Sequence, residues 1–367
     1  MIGVSRGGAG ESTPVATSRP DGRMVPKAEL LQFARQVSVM LEAGVSITEA
    51  LEAFVRQSPG MRVTPEIDGV RQEISEGENL STSFARRSRT FPPVFSGLMR
   101  AAEAVGDLSG MFTRLADWVG REQRIMRQVR SALAYPAVLT VVGGAITMFL
   151  VTMVLPRFEA IYAQRSAELP PLTSFVLSVG RVFSQEWVLW FPLLSGVIMM
   201  IMLFRRSEPV MDLRERVRFG LPVVRSVAGP AETARAFRTL SLLLGAGVPL
   251  LDAVSICREL TGWKRWRRLW DEVEDAAREG RGIVDALQAA PMIPPATQAM
   301  IAAGERGGRL PETLARIADA AEEDLEIAVK RTSTLLEPLA IVVLGTVVGV
   351  VAVALLLPIF KMGSTLS

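Results

Sequence analysis

The sequence predicts an all-α, multi-pass membrane protein with two homologous cytoplasmic helical-bundle domains and three transmembrane helices. Three observations carry that expectation: apolar runs of membrane length, arginines gathered on one side of them, and a long-period internal repeat. Of 367 residues, 49% are hydrophobic and only 22% charged, with a mean hydropathy of +0.29. A soluble domain is seldom that apolar. No stretch alternates polar and apolar residues as a half-buried strand would.

Residues 1–25 are rich in Gly, Ser, Thr, Pro and Arg, and they lack an apolar core. They are expected to be disordered and not to act as a signal peptide. A first cytoplasmic domain is predicted over 26–135. Residues 27–43 carry apolar side chains at helical spacing, and Gly44 suits a left-handed cap. Ser46 and Glu49 spell a capping box for the next helix. Thr64 followed by Pro65 reads as an N-cap with proline at the first helical position. Pro92 and Pro93 open a further helix that Gly106 breaks, and a longer helix from about Ser109 leads to Pro136.

Membrane spans are predicted at 136–155, 187–204 and 338–357. Each is free of Asp, Glu, Lys and Arg and close to the roughly 20 residues that cross about 30 Å of hydrocarbon. Trp187 and Trp190 mark one end of the middle span, as interfacial aromatics do. The apolar stretch 172–184 is interrupted by Arg181, so the 156–186 loop reads as external with an amphipathic segment. Arg121, Arg124, Arg127 and Arg130 precede the first span, Arg205 and Arg206 follow the second, and Lys330 and Arg331 precede the third. The positive-inside rule then puts 26–135 and 205–337 in the cytoplasm and the 358–367 tail outside. The net charge of +3 lies beside apolar runs, which suits membrane lipid and not nucleic acid.

The second cytoplasmic domain, 205–337, repeats the first. Arg35 falls on Arg238, Leu41 on Leu244, Gly44 on Gly247 and Gly77 on Gly280, all at an offset of 203 (238 − 35). After a one-residue slip the offset is 202, with Pro93 on Pro295, Glu103 on Glu305, Gly106 on Gly308, Pro136 on Pro338 and Gly143 on Gly345. Coincidence at so many Gly and Pro positions is implausible, so the repeat is read as a duplication of a bundle and the span after it.

At these residues the sequence resembles the type II secretion F-protein and type IV pilus platform family (GspF/PilC). The resemblance rests on Leu41-Glu42-Ala43-Gly44-Val45 and Leu244-Gly245-Ala246-Gly247-Val248, and on the Glu103–Leu108 and Glu305–Leu310 segments. It also rests on Ala134-Tyr135-Pro136 and Leu336-Glu337-Pro338 at the membrane entries, and on Leu155-Pro156-Arg157-Phe158 and Leu357-Pro358-Ile359-Phe360 at the exits. It covers residues 29–362. The resemblance implies a scaffold of the bacterial inner membrane with six-helix cytoplasmic domains, forming a homo-oligomer. It further implies coupling of a cytoplasmic assembly ATPase to pilins or pseudopilins, alongside other inner-membrane assembly components.

The residues point to no catalytic, cofactor or metal site. Histidine is absent, which removes the commonest general base and metal ligand. Cys257 is the only cysteine and reads as a small core residue. No P-loop is present, and Gly304, Gly307 and Gly308 read as a helix break, because Gly106 marks the same place in the first copy. Partner-contact or repeat-motif candidates are Arg35, Gly44, Glu103, Gly106, Arg238, Gly247, Glu305 and Gly308. The two glutamates are suited to capping a helix, pairing with arginine or meeting a partner; an ion pair within the domain is the plain reading of the two arginines. Gly143 and Gly144, and Gly345 with Gly349 in a G-x-x-x-G, are candidates for helix packing in the membrane. The function expected is a non-catalytic platform; the alternative is a transporter or channel built on the repeat, which the charge-free spans disfavour.

Overall fold

The computed structural model describes residues 25–154, 222–288 and 290–364, with isolated helical positions between 157 and 199. Among the described residues the regular structure is helical throughout, without strands. The first run of helices is α1 (Lys27–Glu42), α2 (Ile47–Gln57), α3 (Thr64–Ser75), α4 (Leu80–Arg86), α5 (Pro93–Val105) and α6 (Leu108–Phe149), which passes into a π-helical turn at Leu150–Val154. The second run is α7 (Pro222–Gly245), α8 (Leu250–Leu260), α9 (Lys264–Arg278), α10 (Ile283–Gln288), α11 (Pro295–Arg306) and α12 (Leu310–Ser364). The chain divides into compact units at 1–119 and 120–367, a division that falls inside α6.

The corners are set by the same backbone chemistry in both runs. Gly44 and Gly247 sit at φ +85° and +84°, a left-handed conformation that costs any residue with a Cβ. The amide after each closes a Schellman cap, Val45 to the Met40 carbonyl and Val248 to the Leu243 carbonyl, both at 3.0 Å. Ser46 and Glu49 form the reciprocal capping box at the head of α2. Its hydrogen bonds from the Ser46 hydroxyl and amide hold the Glu49 carboxyl below its usual range. Thr64 departs from its expected role. The helical turn already begins at Val63, and the Thr64 hydroxyl donates to the Ser58 carbonyl, so Thr64 is the first residue of α3 and not its cap.

The first unit is built around phenylalanine. Phe33 of α1 packs edge-to-face on Phe54 at 5.2 Å and on Phe112 at 5.9 Å, and Phe84, Phe91 and Phe95 complete the cluster. Such pairs add about 0.5–1.5 kcal/mol each beyond buried area. The second run fills its core differently. Cys257, Leu287 and Thr297 stand at the places of Phe54, Phe84 and Phe95, while Trp266 and Trp270 of α9 replace Val63 and Ile67 of α3. Volume lost from three helices is regained on one, the kind of redistribution a core tolerates when its total is kept. Cys257 is buried, and burial alone pushes its thiol pKa up. The Trp270 indole donates to Thr261, whose hydroxyl donates to the Cys257 carbonyl, so the buried polar atoms are paired.

Among the described residues two helices are long and apolar enough to cross a membrane: α6 with its π-helical turn, and α12 to Ala354. Only 11% and 6% of their most apolar stretches are buried, an exposure suited to lipid and not to water. Pro136 and Pro338 do not interrupt them, since both helices run unbroken from bundle to apolar end. The expected span at 187–204 and the segment at 172–184 lie largely outside the described residues.

Candidate partner and membrane-coupling site

Glu103 and Glu305 do the same local work. The Glu103 carboxylate accepts from the Ser81 amide at 3.0 Å and the Ser81 hydroxyl at 2.6 Å. Glu305 accepts from the Ile283 amide at 2.8 Å and the Val284 amide at 3.5 Å. Each carboxylate, from the fifth helix of its run, satisfies donors at the head of the short fourth helix, where negative charge also meets the positive end of the helix dipole. Gly282 makes room for this, because a Cβ there would lie 2.8 Å from a Glu305 oxygen. Gly106 and Gly308 end the fifth helices at φ +80° and +63° and so turn each chain into its long helix. These four candidates therefore act as one corner per repeat.

The matched arginines differ. Arg238 donates to Glu322 of α12 at 2.9 and 3.1 Å and also pairs with Asp319. Arg35 is exposed and forms no ion pair among the described residues. Asp117 matches Asp319, but Gly120 stands at the place of Glu322, so the first repeat lacks the main acceptor.

Around Arg238 lies a charge cluster within the second unit. Arg235 of α7 donates to Glu122 of α6 at 2.8 Å and lies 3.5 Å from Glu232. Arg121 of α6 reaches Glu322 at 3.3 Å. Glu122 and Glu232 are 6% and 5% exposed, where an unpaired charge would be costly. Burial opposes the charge on Arg235, yet Glu122 and Glu232 hold its pKa above the ordinary value. This cluster ties the lower part of α6 to α7 and α12. No pattern in the first repeat announces it, because Gln32 stands where Arg235 does.

From there α6 and α12 run parallel and in register. Arg121 meets Glu322, Ala132 meets Ser333, and Gly143 meets Leu344, each pair 201 residues apart (322 − 121, 333 − 132, 344 − 143). The contacts recur every 11 residues (132 − 121, 143 − 132), three helical turns at 3.67 residues each. A Cβ at Gly143 would collide with the Leu344 side chain, so this glycine sets the approach of the helices. The Ser333 hydroxyl lies 3.2 Å from the Ala132 carbonyl and 3.0 Å from that of Val329. Ala132 is four residues before Pro136, so its carbonyl is the one that proline leaves without an intrahelical donor. Ser333 supplies a partner from the neighbouring helix.

Higher in the same pair, Thr140, Thr147, Thr152 and Thr346 donate to carbonyls of their own helices at 2.7–2.9 Å. These hydroxyls are thus satisfied locally, as a hydrocarbon surrounding would require. An apolar cleft of about 330 Å³ opens between the helices beside Gly144, Met148 and Val347. A Cβ added at Gly345 or Gly349 would meet no other element within 4 Å, so the G-x-x-x-G surface is not what joins α12 to α6. Among the described residues no group of three His, Cys, Asp or Glu side chains is placed to hold a metal ion.

The family described as "Type II secretion system (T2SS), protein F" matches the chain twice, at residues 33–156 and 236–358. Type IV pilus assembly protein TapC of Aeromonas hydrophila is 30% identical over 346 residues, covering 93% of this chain and 83% of its own. Type IV pilus assembly protein PilC of Pseudomonas aeruginosa is 29% identical over 349 residues, 94% of this chain and 92% of its own. Type II secretion system protein F of Vibrio cholerae is 30% identical over 359 residues, 96% and 88% respectively. The similarity to pilus and secretion proteins is equal, so identity alone does not choose between the two machines.

Proposed function

Because the chain belongs to the type II secretion system protein F family, we propose that it is the inner-membrane platform of a type II secretion or type IV pilus-like machine, a scaffold with no catalytic chemistry of its own. The observation that carries this reading is the continuity of α6 and α12, each leading from a bundle of short helices into an apolar stretch of membrane length. At about 1.5 Å per residue, the 55 residues of α12 reach roughly 80 Å, enough to cross the bilayer and still form one side of a bundle. An unbroken helix transmits a push or rotation that a loop would absorb.

In this reading both repeat domains, 26–135 and 205–337, are cytoplasmic, three helices span the membrane, and the C-terminus is external. A cytoplasmic assembly ATPase acts on the bundles, and pilins or pseudopilins meet the platform in the bilayer. Other inner-membrane components and further copies of the chain complete the assembly. Arg35, exposed where its counterpart Arg238 is paired, is a candidate contact on the first domain. The alternative of a transporter or channel is disfavoured by the intramembrane hydroxyls, which turn back onto their own helices. A solute path needs polar groups directed into a cavity.

Purification of the tagged chain from its own host in mild detergent, with co-purifying proteins identified by mass spectrometry, tests this reading. It predicts recovery of a hexameric assembly ATPase or of pilin-like subunits. A pure homo-oligomer after cross-linking, together with solute flux in liposomes, would replace it with the transporter.

A further inference from the structure

One helix face is covered in the second repeat and open in the first. On α7 the stripe Arg235, Arg238 and Leu242 is half-buried. Arg235 is held by Glu122 of α6, the long helix of the other repeat. Beside it, Arg121 of α6, Glu322 of α12 and Arg238 of α7 alternate in sign across three helices. The matched stripe on α1 is Gln32, Arg35 and Val39, all exposed, Val39 by 63%. The matched stretch of the other long helix is open too. Glu122 is 6% exposed and Ile125 half-buried on α6, whereas at their places on α12 Asp324 is exposed and Ile327 is 48% exposed.

The residues of these two open faces suit each other. Among the described residues Gln32, Arg35, Glu323 and Asp324 have no ion pair and no side-chain hydrogen bond. Where the covered face reads Arg121, Glu322 and Arg238, the matched residues are Glu323, Gly120 and Arg35. The middle acid is gone and the outer arginine has become an acid, so the outer residue is now of the sign that pairs with Arg35 directly. Asp324 keeps the charge of Glu122, and Gln32 at the place of Arg235 keeps an N–H donor for it. One chain thus carries both halves of a second α6–α7 type of contact, each with its charges unmatched.

We propose that these halves join between two copies of the chain, the 323–327 stretch of α12 in one docking on the Gln32–Val39 face of α1 in the next. Glu323 pairs with Arg35, Asp324 accepts from the Gln32 amide, and Ile327 covers Val39. An exposed ion pair alone holds little, and the apolar pair beside it excludes water. The two surfaces differ, so the contact is heterologous and runs head to tail, the arrangement that builds rings and not closed twofold dimers. The proposal rests on the platform reading only where that reading has further copies complete the assembly.

The test co-expresses two differently tagged full-length chains, one carrying Val39→Cys and the other Ile327→Cys, and treats isolated membranes with a short bismaleimide. The native Cys257 is buried and does not compete. The expected product is a cross-linked dimer bearing both tags, absent when either variant is expressed alone. Arg35→Glu in the first chain lowers its yield about tenfold, because like charges then face each other. Glu323→Arg in the second chain restores it, a rescue that a merely destabilised fold would not give. Linkage of two Val39→Cys chains to each other, or a yield indifferent to both charge changes, would overturn the proposal. So would the absence of any cross-link between chains whose thermal stability matches the wild type. The two readings fail separately: loss of the dimer leaves the platform role standing, whereas normal filaments in a deletion strain would remove that role and leave the dimer.

Discussion

Glu103 and Glu305 occupy one role twice, and their removal should have the same consequence twice. Glu103→Ala leaves the Ser81 amide and hydroxyl without their acceptor, and Glu305→Ala does so for the Ile283 amide. Each is expected to cost about 1–2 kcal/mol, as the loss of other helix caps does, read as lowered thermal stability of the purified chain. Neutral behaviour in both would mean the carboxylates face a partner and not the helix. Arg235→Met should cost more, about 3–5 kcal/mol, because Glu122 and Glu232 remain buried without it. Arg35→Met should stay within about 0.5 kcal/mol, as at other surface sites. The repeat made the shared glutamates and arginines legible in the sequence. It did not reveal that identical arginines have unlike surroundings, since that depends on a Gly120 against a Glu322 one helix away. Acid sensitivity belongs to the first bundle. Burial works against the charge of Glu73, but the Arg87 guanidinium at 2.9 Å and the charge of Arg86 outweigh it and lower its pKa. A carboxyl lowered by folding stabilises the fold above its unfolded pKa of about 4.3, and that contribution disappears as pH falls through the folded value. Stability should therefore decline below about pH 4, with a shallower decline in Glu73→Gln, followed by circular dichroism.

The long helices test a local rule about proline. Read from sequence, Pro136 and Pro338 mark membrane entries, and the apolar runs beyond them fix which parts of the helices face lipid. That each helix continues through its proline was not readable, because the compensation comes from elsewhere in the chain. Pro136 frees the Ala132 carbonyl, and Ser333, 201 residues away, approaches it. Ser333→Ala should cost about 0.5–1.5 kcal/mol, as an ordinary hydrogen bond does. In a Pro136→Ala background, where the intrahelical bond is restored, the same substitution should cost less. That coupling, measured as a double-mutant cycle on detergent-phase unfolding, separates a specific partner from general packing. Strict additivity would mean that Ser333 serves its own Val329 carbonyl alone. The 11-residue spacing of the α6–α12 contacts also has no sequence signature of its own. Arginine, alanine and glycine on one helix face glutamate, serine and leucine on the other, so no single residue type recurs along the seam.

Across the molecule, a duplication supplied two bundles that kept their corners and changed their cores. The all-helical class, the order of the described helices and the corner glycines follow from residues visible in the sequence, because Gly, Pro and caps act locally. The tryptophan-for-phenylalanine exchange and the buried charge cluster arise from long-range packing, which periodicity does not encode. The platform account requires that the chain be indispensable to filament assembly. The most direct measurement is an in-frame deletion in the native host, with surface filaments and released exoproteins scored together and the wild-type chain restored in trans. The account predicts that filaments or exoprotein release are lost and then recovered on complementation. Normal filaments and normal release in the deletion strain would contradict it.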